Sequence, residues 1–107
     1  MTKPSYMELY AAQNACCFYC GKAMGPSRSN APQHLGWTID HFIPKCRGGH
    51  SLNNNVVLCH SRCNIIKGGR LPSSQEAKKF HALYKKIRFR RQRITTMERE
   101  ARINAYP

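Results

Sequence analysis

The chain has 107 residues, and 18 Lys and Arg against 5 Asp and Glu give it a formal charge of +13. That length suits one small domain, whose poor ratio of core to surface calls for reinforcement by a metal or disulfides. No stretch approaches the ~20 apolar residues of a membrane-spanning helix, and "MTKPSYMELYAAQNACC" lacks the apolar core of a signal peptide.

A cytoplasmic, reducing compartment is therefore expected, and the six cysteines read as metal ligands rather than disulfides. The charge favours a polyanionic partner, of which nucleic acid is the commonest. It is unevenly spread: residues 1–66 carry a net +4 and residues 67–107 a net +9.

"SYMELYAAQN" reads as a short helix, opened by a capping box between Ser5 and Glu8, with Met7, Tyr10 and Ala11 on one face. "CCFYCG" turns at Gly21, and residues 22–36 are loop, rich in Pro, Gly and small polar residues. "WTIDHFI" is a strand candidate stopped by Pro44. "KCRGGHSLNNN" is loop, "VVLC" a second strand, and "HSRCNIIKGG" a short helix ended by Gly68 and Gly69. Ser73 and Glu76 form a second capping box. After it Phe80, Leu83, Tyr84, Ile87, Ile94, Met97 and Ala101 keep helical spacing, which predicts a helix from about 74 to about 100. Thr95–Thr96 is the place where it would fray.

Cys17-Phe-Tyr-Cys20 and, far downstream, "CHSRC" offer two pairs of soft ligands divided by a loop, which suits a tetrahedral structural zinc. His60 and Cys63 repeat the two-residue gap of Cys17 and Cys20 and are preferred; Cys59 is the alternative to His60, and Cys16 to Cys17. Cys46 belongs to neither pair and reads as an incidental thiol. His34, His50 and His81 read as surface groups, and Trp37 as core.

Between the zinc pairs stand Asp40-His41, Asn55 and Asn64, with Lys67 three residues further. The run "TIDHFIPKCRGGHSLNNNVVLCHSRCNIIKGG" resembles HNH endonucleases of the ββα-metal type. The shared parts are D-H-x-x-P, a Gly-Gly loop, an Asn ahead of the second knuckle, and C-N-x-x-K-G. The resemblance spans about residues 9–70 and, with Asn55 aligned, puts the knuckle on His60. It implies an α+β fold with a ββα-metal (HNH) core and structural zinc knuckles, to which the sequence adds the short N-terminal helix and, over residues 71–107, a basic extension carrying the long C-terminal helix. It also implies an endonuclease that leaves 5′-phosphate and 3′-hydroxyl ends, with Asn55 (or Asn54, one register away) holding the loop that positions His41. The last His of the family's name is Asn64 here; both residues occur at that position among its members.

The chemistry asks for the same residue types. A histidine titrates near neutrality and suits a general base, here His41. Asp40 and Asn64 offer hard oxygens suited to catalytic Mg²⁺ or Mn²⁺. Neighbours on a strand point to opposite faces, so a backbone irregularity at Asp40-His41, or one of the two acting through its backbone, is expected. Lys67, Arg70, Lys85, Arg88 and Arg91 are the candidate nucleic-acid contacts. Double-stranded DNA is the expected substrate and RNA stays open, as does nicking against double-strand cleavage. A homodimer or a larger assembly such as phage packaging is compatible with the small size. The rival is a zinc-stabilised binding module without catalysis.

Overall fold

A computed structural model describes residues 2–49 and 54–104, with no side chain described for 103 and 104. His50 and Asn53 lie outside the described residues. The element order is α1 (Tyr6–Ala12), β1 (Trp37–His41), a 3-10 turn (Lys45–Arg47), β2 (Val56–His60), α2 (Ser61–Lys67) and α3 (Ser74–Asn104).

Both capping boxes form. Ser5 and Glu8 exchange side-chain-to-backbone bonds of 3.1 Å each, and Ser73 and Glu76 repeat the pattern at 2.9 and 3.1 Å. Each satisfies amides that a helix start leaves open. Two consecutive residues at positive φ, Asn14 and Ala15, follow α1 and swing the chain into the C-x-x-C turn.

β1 and β2 pair antiparallel, with Trp37 opposite His60 and His41 opposite Val56. The outer side of β2 is covered by side chains and turns rather than by a third strand. Gln13 grips Leu58 through both its amide groups, at 2.9 and 2.8 Å, and the amide of Phe18 donates to the Leu58 carbonyl. Tyr84 of α3 places its hydroxyl between the amide and carbonyl of Val56. Every residue of β2 is consequently buried.

The core joins Leu9 and Ala12 of α1, Phe18, Val57, Leu58 and Cys59, and Leu83, Tyr84 and Ile87 of α3. Phe80 stacks flat on Phe42 at 4.2 Å between ring centroids, and Phe18 meets Phe42 edge-on. Trp37 packs against this core from its edge. It is half-buried at the rim, with Tyr6 at 5.4 Å and the Arg28 guanidinium over its ring.

α3 runs to Asn104, about 46 Å at 1.5 Å per residue. The helix passes through Thr95 and Thr96 without a break. Their hydroxyls bond back to the carbonyls of Arg91 and Gln92 at 3.0 Å. The apolar stripe divides: Leu83, Tyr84 and Ile87 are buried in the body, while Ile94 and Met97 continue it beyond the core and are exposed. No helix among the described residues is long and apolar enough to cross a membrane.

Candidate active site and metal centre

Cys17, Cys20, His60 and Cys63 converge from the turn after α1, the last residue of β2 and the first turn of α2. Their ligand atoms lie within 4.8 Å of one another. A tetrahedron with bonds of ~2.3 Å has edges of about 3.8 Å, so the cluster fits an ion of zinc's size. His60 Nδ1 faces Cys20 Sγ at 3.4 Å, and its Nε2 reaches the Ala23 carbonyl at 3.1 Å. That outer bond fixes the ring so that Nδ1 stays free to ligate. The amides of His60 and Lys22 point at the sulfurs of Cys17 and Cys20.

The thiols respond to this setting in opposite directions. Burial pushes Cys20 up, but the Lys22 amide and the neighbouring Cys17, His60 and Cys63 outweigh it and bring it down to about 7. Burial, and then Cys17, pushes Cys63 up to about 12. The Cys20 thiolate is favoured and Cys63 resists ionising beside it, which is the charge problem a bound dication resolves. Cys59, the alternative ligand, is fully buried in the core, where burial holds its thiol well above the usual range. Cys16 turns its sulfur to the Asn14 carbonyl instead.

The catalytic candidates gather where β1 ends against α2. The strand is regular through His41, with Asp40 opposite Val57 and His41 opposite Val56. The expected irregularity at Asp40-His41 is therefore not found, and the two side chains take opposite faces. Asp40 points inward and is buried; His41 is half-exposed. Burial and then the charge of Lys45 lower the pKa of His41, which favours the neutral imidazole that a base requires.

Immediately after His41 the chain bends, and Asn55 holds the bend. Its Oδ1 accepts from the Ile43 amide at 2.7 Å; its Nδ2 donates to the carbonyls of Ile43 and Gly49 at 2.8 and 3.2 Å. Its own carbonyl takes the Phe42 amide. Gly49 is required there, because a Cβ would collide with the Ile43 carbonyl and lie 2.6 Å from Asn55 Nδ2.

Asn64 sits one turn before Lys67 on α2 and is half-buried. Lys67 departs from its expected role as a phosphate contact. It is 4 % exposed, and its ammonium lies 2.7 Å from Asp40 Oδ2 and from the His41 carbonyl, and 2.9 Å from that of Phe42. The Tyr19 hydroxyl donates to the same Asp40 oxygen. Burial, and then that bond, raises the pKa of Tyr19, so it stays a phenol and a donor. Both donors sit on Asp40 Oδ2, where the Lys67 ammonium balances the carboxylate charge. No pattern in the sequence marks Tyr19, which lies inside the C-x-x-C turn; Asp40 is its partner 21 residues away.

The residues and their order point to one family. The profile of the HNH endonuclease family matches residues 17–73, just over half of the chain. The chain belongs to the HNH endonuclease family. The match begins at the first candidate metal ligand and ends beyond α2, so it takes in every catalytic candidate. A comparison with curated proteins returned no match. Members of this family are nucleases acting on nucleic acid and use divalent metals.

The remaining basic candidates of this HNH protein differ in availability. Arg70 is bidentate to Glu76 at 2.7 and 2.9 Å, and Arg91 is bidentate to Glu8 at 2.6 and 3.0 Å. Each carboxyl is held at about 2, the arginine bond being the first cause. Lys85 and Arg88 are exposed. With Lys78 they follow a spacing of seven and three along one flank of α3.

Proposed function

We propose that the chain is an HNH endonuclease of the ββα-metal type that hydrolyses DNA phosphodiester bonds. His41 is the general base. It takes a proton from the attacking water, whose oxygen bonds to phosphorus as the P–O3′ bond breaks; the leaving 3′ oxygen takes a proton from solvent, giving 5′-phosphate and 3′-hydroxyl ends. Asn55 is a positioning residue, bracing the bend that follows His41. The observation that carries the reading is the family match over residues 17–73, supported by a half-exposed, neutral-leaning His41 at a strand end tied down by Asn55.

Zinc is the ion that suits Cys17, Cys20, His60 and Cys63, as a structural staple of the core over residues 9–70. Asp40 and Asn64 are the residues proposed for the family's catalytic Mg²⁺ or Mn²⁺. In the conformation described, Oδ2 of that carboxylate is held by Lys67 and Tyr19. Lys85 and Arg88 on the basic extension supply duplex affinity through phosphate contacts that carry little sequence preference.

The test is plasmid cleavage by purified, zinc-loaded protein with Mg²⁺ or Mn²⁺, beside a folded, zinc-loaded His41→Ala variant. Cleavage by the wild type and its loss in the variant are expected. An inactive wild type that still binds DNA would replace this reading with a binding module. Equal cleavage by both proteins would remove His41 from the mechanism.

A further inference from the structure

The Asp40 position carries its own cation. Lys67 Nζ has three acceptors, Asp40 Oδ2 and the carbonyls of His41 and Phe42, at 2.7 to 2.9 Å. These use all three donors of an ammonium. The Lys67 and Asp40 side chains are 2 % and 8 % exposed, so little water screens them. Tyr19 occupies the same carboxylate oxygen from the other side. A dication on this carboxylate would stand close to a fixed positive charge in a poorly screened site.

We infer that Lys67 is the resident counter-ion of Asp40, and that a divalent ion on Asp40 competes with the Lys67 ammonium and displaces it. The inference rests on Asp40 being a ligand of the family's metal. Expulsion is mechanically open to this residue. Lys67 is the last residue of α2 and precedes Gly68 at φ 56, so its long stem leaves from a helix end rather than from the middle of a packed face. Its departure also releases the carbonyls of His41 and Phe42. The strand end that carries the base is thus held by Lys67 until the ion arrives, which makes Lys67 a positioning residue of the resting state.

The experiment uses the full, zinc-loaded chain in buffer freed of other divalent ions. Mn²⁺ binding is read by electron paramagnetic resonance, and Lys67 is probed by acetylation and peptide mass spectrometry with and without Mn²⁺. Lys67 is expected to be protected without Mn²⁺ and acetylated at saturating Mn²⁺, while exposed Lys85 reacts in both. Lys67→Gln keeps a donor for Asp40 and removes the charge; it is expected to bind Mn²⁺ about tenfold more tightly or better. A lysine that only braced the fold would give unchanged or weaker binding. Protection of Lys67 while Mn²⁺ is bound, acetylation of Lys67 without Mn²⁺, equal affinity in wild type and variant, or binding to neither would each overturn the inference. If Lys67→Gln does not fold, acetylation of the wild type decides alone. Failure of the nuclease reading shows separately, as absent plasmid cleavage, whereas the competition is read from binding.

Discussion

Asn55→Ala tests the link between fold and base most directly. Asn55 is 2 % exposed and makes three side-chain bonds, all to the backbone of the segment that follows His41. Truncation leaves one amide and two carbonyls without their partner. A typical net bond is worth ~1 kcal/mol, and each buried group left unpaired costs ~1–3 kcal/mol. Water entering the space recovers part of this, so a loss of about 3 kcal/mol is expected. That is a large share of the ~5–15 kcal/mol that holds a domain together. Urea unfolding at fixed zinc measures it.

Cleavage by the fraction that stays folded reads the second half. The bend is no longer fixed, and a displacement of about 1 Å at the base costs about a hundredfold in rate. Zinc content should stay at the wild-type value, because Asn55 touches none of the four cluster residues. A variant that loses under ~1 kcal/mol and cleaves like the wild type would refute the argument. One that loses its zinc would make Asn55 a residue of the general fold.

Three further outcomes are expected. His60→Ala should abolish stoichiometric zinc and weaken the fold, whereas Cys59→Ala should keep the metal; zinc analysis with circular dichroism separates them, and the reverse result would return the ligand role to Cys59. The acid limb of cleavage should lie below pH 6.5, because burial and Lys45 lower the pKa of His41 and keep the neutral base present at more acid pH. Lys45→Ala should move that limb upward, and a limb above pH 6.5 in the wild type would contradict the assignment. Replacing Lys85 and Arg88 together by Ala should flatten the salt dependence of DNA binding by about two units of slope, with little effect on sequence preference. An unchanged slope would place the phosphate contacts elsewhere.

The parts of this protein that were legible in its sequence are those decided within a few residues. Both capping boxes are Ser and Glu three apart. The C-x-x-C spacing and the motif order point to the metal cluster and to the HNH family. What was not legible depends on partners far along the chain. Lys67 reads as a phosphate contact from its place just beyond the metal helix, and only the fold brings Asp40, 27 residues earlier, against it. Arg91 reads as a nucleic-acid contact on the basic tail; its partner Glu8 is 83 residues away. The expected irregularity at Asp40-His41 assumed that both side chains must share a face. The strand instead stays regular and gives the carboxylate to α2 and the imidazole to the outside. α3 runs through Thr95–Thr96 because threonine costs a helix only about half a kcal/mol per residue, too little to end one of this length.

The metal cluster and the catalytic candidates are one mechanical unit. Both donors to Asp40 Oδ2 leave from segments the cluster anchors: Tyr19 stands between Cys17 and Cys20, and Lys67 stands one turn after Cys63. Asn64 follows Cys63 directly. Holding the cluster therefore fixes the start of α2 and the first knuckle against the end of β1, and this sets where the donors meet Asp40. α3 braces the same sheet independently, through the Tyr84 hydroxyl on Val56 and the Phe80 ring on Phe42. Loss of the ion thus bears first on the arrangement around Asp40 and only then on the sheet, because β2 keeps partners that owe nothing to the cluster.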